Sequence, residues 1–431
     1  MAGMRQGANV QLKDLPSYFE REPLTFMSED GAASRGVLYK KAGTKPKVGV
    51  HVMHPRTDQS QNYNIPPLVE AGYMVLGRAG RWVNNDIATI HERLLLDVAA
   101  GVRELRARGC EQVLLLGNSG GGGLSTLYQS QAAKAPPGRY TDTAAGDPFD
   151  LNKFDLPAAD GIILIGAHPG EGYCLGKWVD PSMVDENDPL SVDPALDMYN
   201  PDNGFRVPPE SSRYSVAFLE KFRVAQRARV ERMEALAIAR VKARQQLQAE
   251  VAALSSAHSS DKAGRARQEI LRQSLMRRAQ GIDYIAIRRC QADPLYTDLS
   301  LDPDDRVVCS FNSDPRPDLH NYRPFLSPFV TPEAWLSTWS PLSGRAKTIL
   351  RLKEIGVPLL LVHYSGDACT RMAEARAMFD ASAAQDKEFY LVKGTDHYGY
   401  SILGPQDRGE RSPEGTDAVV AWMQKRFPAG G

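Results

Sequence analysis

No apolar run in this chain approaches the roughly 20 residues that a membrane-crossing helix requires. Runs such as Val113 to Leu116, Ile162 to Ile165 and Leu359 to Val362 have the length of buried strands. Charge of one sign is also missing, since 52 lysines and arginines face 52 aspartates and glutamates. Nothing global therefore advertises a nucleic acid or a membrane surface as partner. The five cysteines (Cys110, Cys174, Cys290, Cys309, Cys369) are odd in number and contain no C-x-x-C pair. That spacing argues against a disulfide framework and against a zinc site, and reduced packing residues are expected. Met1 to Asp14 has no basic segment followed by an apolar stretch and a small-residue cleavage site, so the cytoplasm is the expected location. What is present is a folding chain of 431 residues with 42% hydrophobic content, long enough for a core plus a second body of structure.

Strand-like and helix-like segments alternate from Arg35 onwards. Lys47 to His54, Tyr73 to Leu76, Val113 to Leu116 and Ile162 to Ile165 read as strands, with helices over about Pro66 to Gly72, Ile87 to Arg108 and Leu124 to Ala133. The strands lack polar alternation, as strands covered on both faces do, so a mostly parallel sheet between two helix layers is predicted. From Gly170 to Arg345 the pattern breaks. It resumes with Val357 to Tyr364, a helix near Thr370 to Ala384, Phe389 to Lys393 and a last helix near Thr416 to Phe427. The expected division is an N-terminal extension (1–34), an α/β core (35–170 and 346–431) and an insertion (171–345). Inside the insertion, Leu219, Phe222, Val230, Met233, Ala237, Val241, Val251 and Leu254 keep helical spacing, and Ile270, Leu275, Ile282 and Ile285 suggest a return helix. This hairpin (214–289) holds 16 lysines and arginines against 7 acids, a surplus of nine. Solvated basic faces are the plain reading, and an interaction surface the other. A hairpin of that length is expected to project beyond a globular body, which points to a homo-oligomer, with a dimer favoured.

Gly117-Asn118-Ser119-Gly120-Gly121 fits G-x-S-x-G between an apolar strand and a helix start, the setting in which those letters form a nucleophile elbow. Small neighbours let the chain pass close to itself while the serine hydroxyl rises above the sheet, and the Gly120 N–H points where an oxyanion would form. A phosphate-binding glycine turn is the alternative, but no P-loop lysine accompanies it. A serine hydroxyl needs a histidine base and an acid to orient it. Asp367, in Ser365-Gly366-Asp367, follows one late strand, and His397, in Gly394-Thr395-Asp396-His397-Tyr398-Gly399, follows the next, both at the carboxyl edge of the sheet. Asp396 is read as a decoy and Glu171 as a reserve acid.

These motifs together resemble the α/β-hydrolase family: the elbow GNSGG, the acid in SGDA, the base in GTDHYG, and HPRTDQ at the oxyanion-loop position. The resemblance covers about Arg35 to Gly170 and Lys347 to Phe427. It implies Ser119 as nucleophile, His397 as general base and Asp367 as its orienting acid, with a large lid inserted after the sixth strand. Pro55 stands where that loop usually has glycine, and proline has no N–H. The second oxyanion donor is then expected to be the Arg56 amide, beside that of Gly120.

Other residues invite weaker readings. His51 and His54 at i and i+3 on a strand face opposite sides, which argues against metal ligation. His54 and His168, at strand ends, are candidate substrate contacts, while His91, His258, His320 and His363 read as structural. Arg56, Arg78 and Arg81 either meet a substrate carboxylate or pair with local acids. Phe325, Phe329, Trp335 and Trp339 either pack lid on body or line a pocket. The expectation is a serine hydrolase of a small carbonyl compound, an ester first and an anionic metabolite or xenobiotic among the candidates, working without cofactor or metal. Thioester, amide or β-diketone carbon–carbon cleavage would use the same triad, and a binding scaffold built on the hairpin is the non-enzymatic alternative.

Overall fold

The computed structural model describes residues 9–10, 12, 15–256, 261–308, 316–323, 326, 328–404 and 408–430. Cys309, His258 and Phe325 lie outside the described residues. Eight strands form the main sheet: β1 (Phe19–Met27), β2 (Ala33–Lys41), β3 (Val48–Met53), β4 (Met74–Arg78), β5 (Gln112–Asn118), β6 (Gly161–Ile165), β7 (Leu359–Tyr364) and β8 (Lys387–Val392). Their spatial order is β1-β2-β4-β3-β5-β6-β7-β8. β1 and β2 pair antiparallel, β2 runs antiparallel to β4, and every pair from β4 to β8 is parallel.

The parallel strands are apolar throughout because both faces are covered. On β5, Val113 and Leu115 pack with α2 (His91–Ala107) and α3 (Gly121–Ala132), while Leu114 and Leu116 pack with α1 (Ile65–Glu70) and α8 (Glu414–Arg426). Burial of each such leucine contributes about 1.5–3 kcal/mol. Ile162 and Leu164 of β6 join Leu359 and Leu361 of β7 against α7 (Met372–Ala381). One boundary is corrected here. The 1–34 extension contains β1, an edge strand in register with β2 from Phe19 opposite Lys41 to Met27 opposite Ala33. Its sequence, FEREPLTFM, puts charges and a proline on an edge strand, where a missing ladder N–H is tolerated, and so hides the pattern.

The insertion separates β6 from β7, which are sheet neighbours. It begins with α4 (Glu171–Trp178). The Pro/Asp-rich stretch that follows is built on Asx turns, in which the carboxylates of Asp185, Asp188, Asp193 and Asp197 each accept the amide two residues on. α5 (Val216–Ser256) and α6 (Lys262–Ala279) form the hairpin, closed by Gln268 onto the Leu254 carbonyl near its tip and by Arg240 onto Asp283 near its base.

The 41 residues of α5 span about 60 Å. Its buried stripe, Phe218, Phe222, Gln226, Arg229, Val230, Met233, Ala237 and Val241, ends well before its tip. Met233 and Val241 are 1% and 3% exposed, in one cluster with Trp178, Trp335 and Trp339. The expectation that the hairpin projects beyond the body is thus corrected for its inner part: the stripe packs within its own chain as far as Val241. Polar side chains take part as well. Gln226 donates to the Lys177 and Val179 carbonyls at the end of α4, and the fully buried Arg229 holds Glu186 and the Asp180 carbonyl. No helix among the described residues is long and apolar enough to cross a membrane.

Candidate active site

Ser119 sits between β5 and α3 with φ +52°, a conformation that a non-glycine residue adopts only when its surroundings impose it. A side chain on Gly117 would lie 2.6 Å from the Gly121 carbonyl, and one on Gly121 would lie 2.6 Å from the Met53 carbonyl. The two glycines let the turn close on itself and against the end of β3. Asn118 braces the strand end, its amide donating to the Ile165 carbonyl at 2.8 Å and to the Tyr63 hydroxyl at 3.3 Å. Gly120 immediately precedes α3, whose first amides have no carbonyl partner within the helix.

The loops after β7 and β8 bring the other two predicted groups to this serine. His397 Nε2 lies 3.0 Å from Ser119 Oγ, and His397 Nδ1 lies 2.7 Å from Asp367 Oδ2. Asp367 is fixed through its other oxygen, Oδ1, which accepts the amides of Cys369 (2.7 Å) and Thr370 (3.1 Å). Asp396 turns into its own loop, where Oδ1 accepts the Tyr398 and Tyr400 amides. Burial works against a charged imidazole, but the Asp367 carboxylate outweighs it and raises the His397 pKa from 6.5 to about 9. Burial likewise opposes ionisation of Asp367, and the facing His397 pulls its pKa below the usual carboxylate value. A hydroxyl, an imidazole and a carboxylate in this line can move a proton from the serine and stabilise the imidazolium that results.

A second polar cluster borders the elbow. A Cβ built on Gly120 would stand 2.3 Å from Glu171 Oε1 and 2.9 Å from His54 Nε2. Glu171 is bound by Arg56 Nε at 3.0 Å, and Arg56 also reaches both oxygens of Asp86 at 3.2 Å. Against the cost of burial, the Arg56 charge lowers the Glu171 pKa to about 2. His168 follows β6, accepts the Gly170 amide on Nδ1 at 3.1 Å and faces Glu171 Oε2 with Nε2 at 3.7 Å.

Several expectations are corrected at this cluster. The Arg56 amide donates to His54 Nδ1 at 3.1 Å rather than standing free for an oxyanion. The three arginines are engaged by the fold: Arg56 as above, Arg78 on the Asp97 carbonyl and Ser34, and Arg81 on Asp30 and Asp97. Trp335 is fully buried with its N–H on Glu234 of the hairpin, so it ties the hairpin to the returning end of the insertion rather than facing substrate. Trp339 is 1% exposed, donates to the Asp86 carbonyl and lies under the Arg56 guanidinium at 5.2 Å. Glu171, the reserve acid, meets Arg56 and not His397. Asp86 was not singled out by sequence, and nothing local to it signals a partner 30 residues away.

No protein-family model matches the chain, and no curated protein does. Solved structures are similar across nearly the whole length at low identity. An esterase domain of a Rhodothermus marinus protein aligns with TM-score 0.41 and 11% identity, covering 94% of this chain and 99% of that one. DcsB in complex with its substrate analogue aligns with TM-score 0.48 and 11% identity, covering 96% of this chain and 100% of that one. A Paleococcus ferrophilus monoacylglycerol lipase aligns with TM-score 0.40 and 14% identity, covering 94% and 99%. Strand order and elbow decide the architecture independently of these. The chain has the α/β-hydrolase fold. In that fold the loops at the carboxyl ends of β5, β7 and β8 supply the three aligned groups, and those at the ends of β3 and β6 supply His54, Arg56, His168 and Glu171.

Proposed function

We propose that the protein is a serine hydrolase that cleaves an ester of a small molecule through an acyl-enzyme. The observation that carries this is the unbroken line Asp367–His397–Ser119, with contacts of 2.7 and 3.0 Å, ending on a serine at φ +52°. In this reading His397 takes the Ser119 proton as the hydroxyl attacks the carbonyl carbon, and the tetrahedral oxyanion forms beside the Gly120 amide. His397 then returns the proton to the leaving alkoxide. Water, deprotonated by the same imidazole, releases the acid and restores the serine. A neutral acyl group suits the surroundings of Ser119 best, because Glu171 borders the elbow while the neighbouring arginines are taken up by the fold.

The insertion acts as a lid in this proposal, since α4 supplies Glu171 beside the elbow and Trp339 bonds the Asp86 carbonyl of the core. A homodimer through the outer hairpin is retained as a proposal, carried by Ile270, Leu271 and Met276, which are exposed on α6. Ser119→Ala, assayed with 4-nitrophenyl esters of two to eight carbons, tests the central reading. Turnover should vanish while thermal unfolding is unchanged, and hydrolysis surviving in that variant would reject it.

A further inference from the structure

An oxyanion formed at Ser119 needs at least two donors, and one is built into the elbow as the Gly120 amide. The loop opposite, His54-Pro55-Arg56-Thr57, has none of its next three amides to give. Pro55 has no N–H. The N–H groups of Arg56 and Thr57 both donate to His54 Nδ1, at 3.1 and 3.3 Å. Two donors on Nδ1 leave that nitrogen as an acceptor, so in the neutral ring the proton is on Nε2. That same Nε2 is the atom 2.9 Å from where a Gly120 side chain would begin.

We infer that the His54 imidazole, through Nε2–H, supplies the second oxyanion donor in place of the loop amide. This rests on the serine-hydrolase reading above and names a catalytic residue for it. The ring stays neutral at working pH, because burial and then the nearby Arg56 charge bring its pKa from 6.5 to about 3. It is therefore a fixed donor and not a proton carrier, which is what a preorganised site requires.

The neighbouring groups narrow the choice to this ring. His168 is held as the same tautomer by the Gly170 amide on its Nδ1, but its Nε2 turns to Glu171 Oε2 at 3.7 Å. His91 turns its Nδ1 to the Ser337 carbonyl at 3.5 Å. Glu171 Oε1 occupies the same cradle as His54 Nε2, and its charge is matched by Arg56 Nε at 3.0 Å. A carboxylate this near raises the cost of an unassisted alkoxide and makes a neutral donor beside it count for more. Glycine at position 120 has an ordinary φ of −59°, so what requires it is the space beside Glu171 and the imidazole that a side chain would fill.

The test uses the full chain with 4-nitrophenyl butyrate and, separately, phenylboronic acid, which forms a tetrahedral adduct on an active serine. His54→Ala should lower kcat by about 10²–10³-fold with KM within about threefold, and weaken the boronate by a similar factor. His54→Gln, which keeps an N–H near the same place, should recover at least tenfold in kcat over His54→Met; this pair decides the matter if the alanine variant does not fold. Folded variants with kcat within threefold of wild type, or equal kcat for Gln and Met, overturn the inference. Ser119→Ala in the same series separates the two claims. If it is inactive while His54→Ala is not impaired, only the donor assignment fails; if it still turns over, the serine reading itself fails.

Discussion

Asp367→Asn places a single-atom change at the point where the proposed mechanism is most sensitive to orientation. Oδ1 of Asp367 already accepts the Cys369 and Thr370 amides at 2.7 and 3.1 Å. In the variant the amide oxygen must keep those bonds, which turns the –NH₂ toward His397 Nδ1, 2.7 Å away in the wild type. Nδ1 then has to accept, the ring proton moves to Nε2, and the atom facing Ser119 can no longer take a proton. Loss of correct tautomer in a triad of this kind is worth about 10⁴ in kcat, or about 5 kcal/mol of barrier. A second signature follows from charge. With the carboxylate gone, burial is the chief remaining influence on His397, so its pKa falls from about 9 to below 6.5. Steady-state hydrolysis of 4-nitrophenyl butyrate from pH 6 to 10 reads both effects. Wild-type kcat/KM should climb with an apparent pKa near 9, and the variant should lose that limb along with its rate. A loss under tenfold, or an alkaline limb still near 9, would refute the reasoning.

Three further outcomes are expected. Arg56→Met leaves Glu171 buried without its cation, so stability should fall by about 3–5 kcal/mol in urea unfolding and the Glu171 pKa should rise from about 2. Met233→Ala empties space in the interface between hairpin and body and should cost about 2–5 kcal/mol, without changing the sedimentation coefficient of the folded protein, because this side chain faces its own chain. The His397–Asp367 pair should make stability pH-dependent in a defined sense. With the folded pKa of His397 raised from 6.5 to about 9, its contribution is complete below pH 6.5 and is lost as pH rises through 9, up to about 3 kcal/mol relative to His397→Gln. The lowered pKa of Asp367 acts at the other end, with stability present above pH 3.8 and lost as pH falls through the folded value.

The three aligned groups were legible in sequence because their constraints are local. Ser119 needs small residues at fixed offsets, and Asp367 and His397 each follow an apolar strand in the required chain order. The polar cluster was not legible, since Arg56 and Glu171 are 115 residues apart and neither carries a mark of the other. The oxyanion loop was misjudged for a related reason. Proline at 55 signals a lost donor, but only the folded loop shows the next amides turned onto His54 Nδ1. In the hairpin, the 3.6-residue spacing continues through Val251 and Leu254, yet α5 is buried in the body only to Val241, because periodicity marks a helix face and not what covers it. β1 escaped detection because an edge strand with several exposed positions carries too little apolar alternation.

The most direct test of the central claim is intact-mass and peptide analysis after treatment with a fluorophosphonate, which reacts with a serine only when a neighbouring base has activated it. The account predicts one adduct per chain, on Ser119, formed quickly in the wild type, slowed strongly in Asp367→Asn and His397→Gln, and absent in Ser119→Ala. An adduct on another residue, or labelling of Ser119 at an undiminished rate without His397, would contradict it.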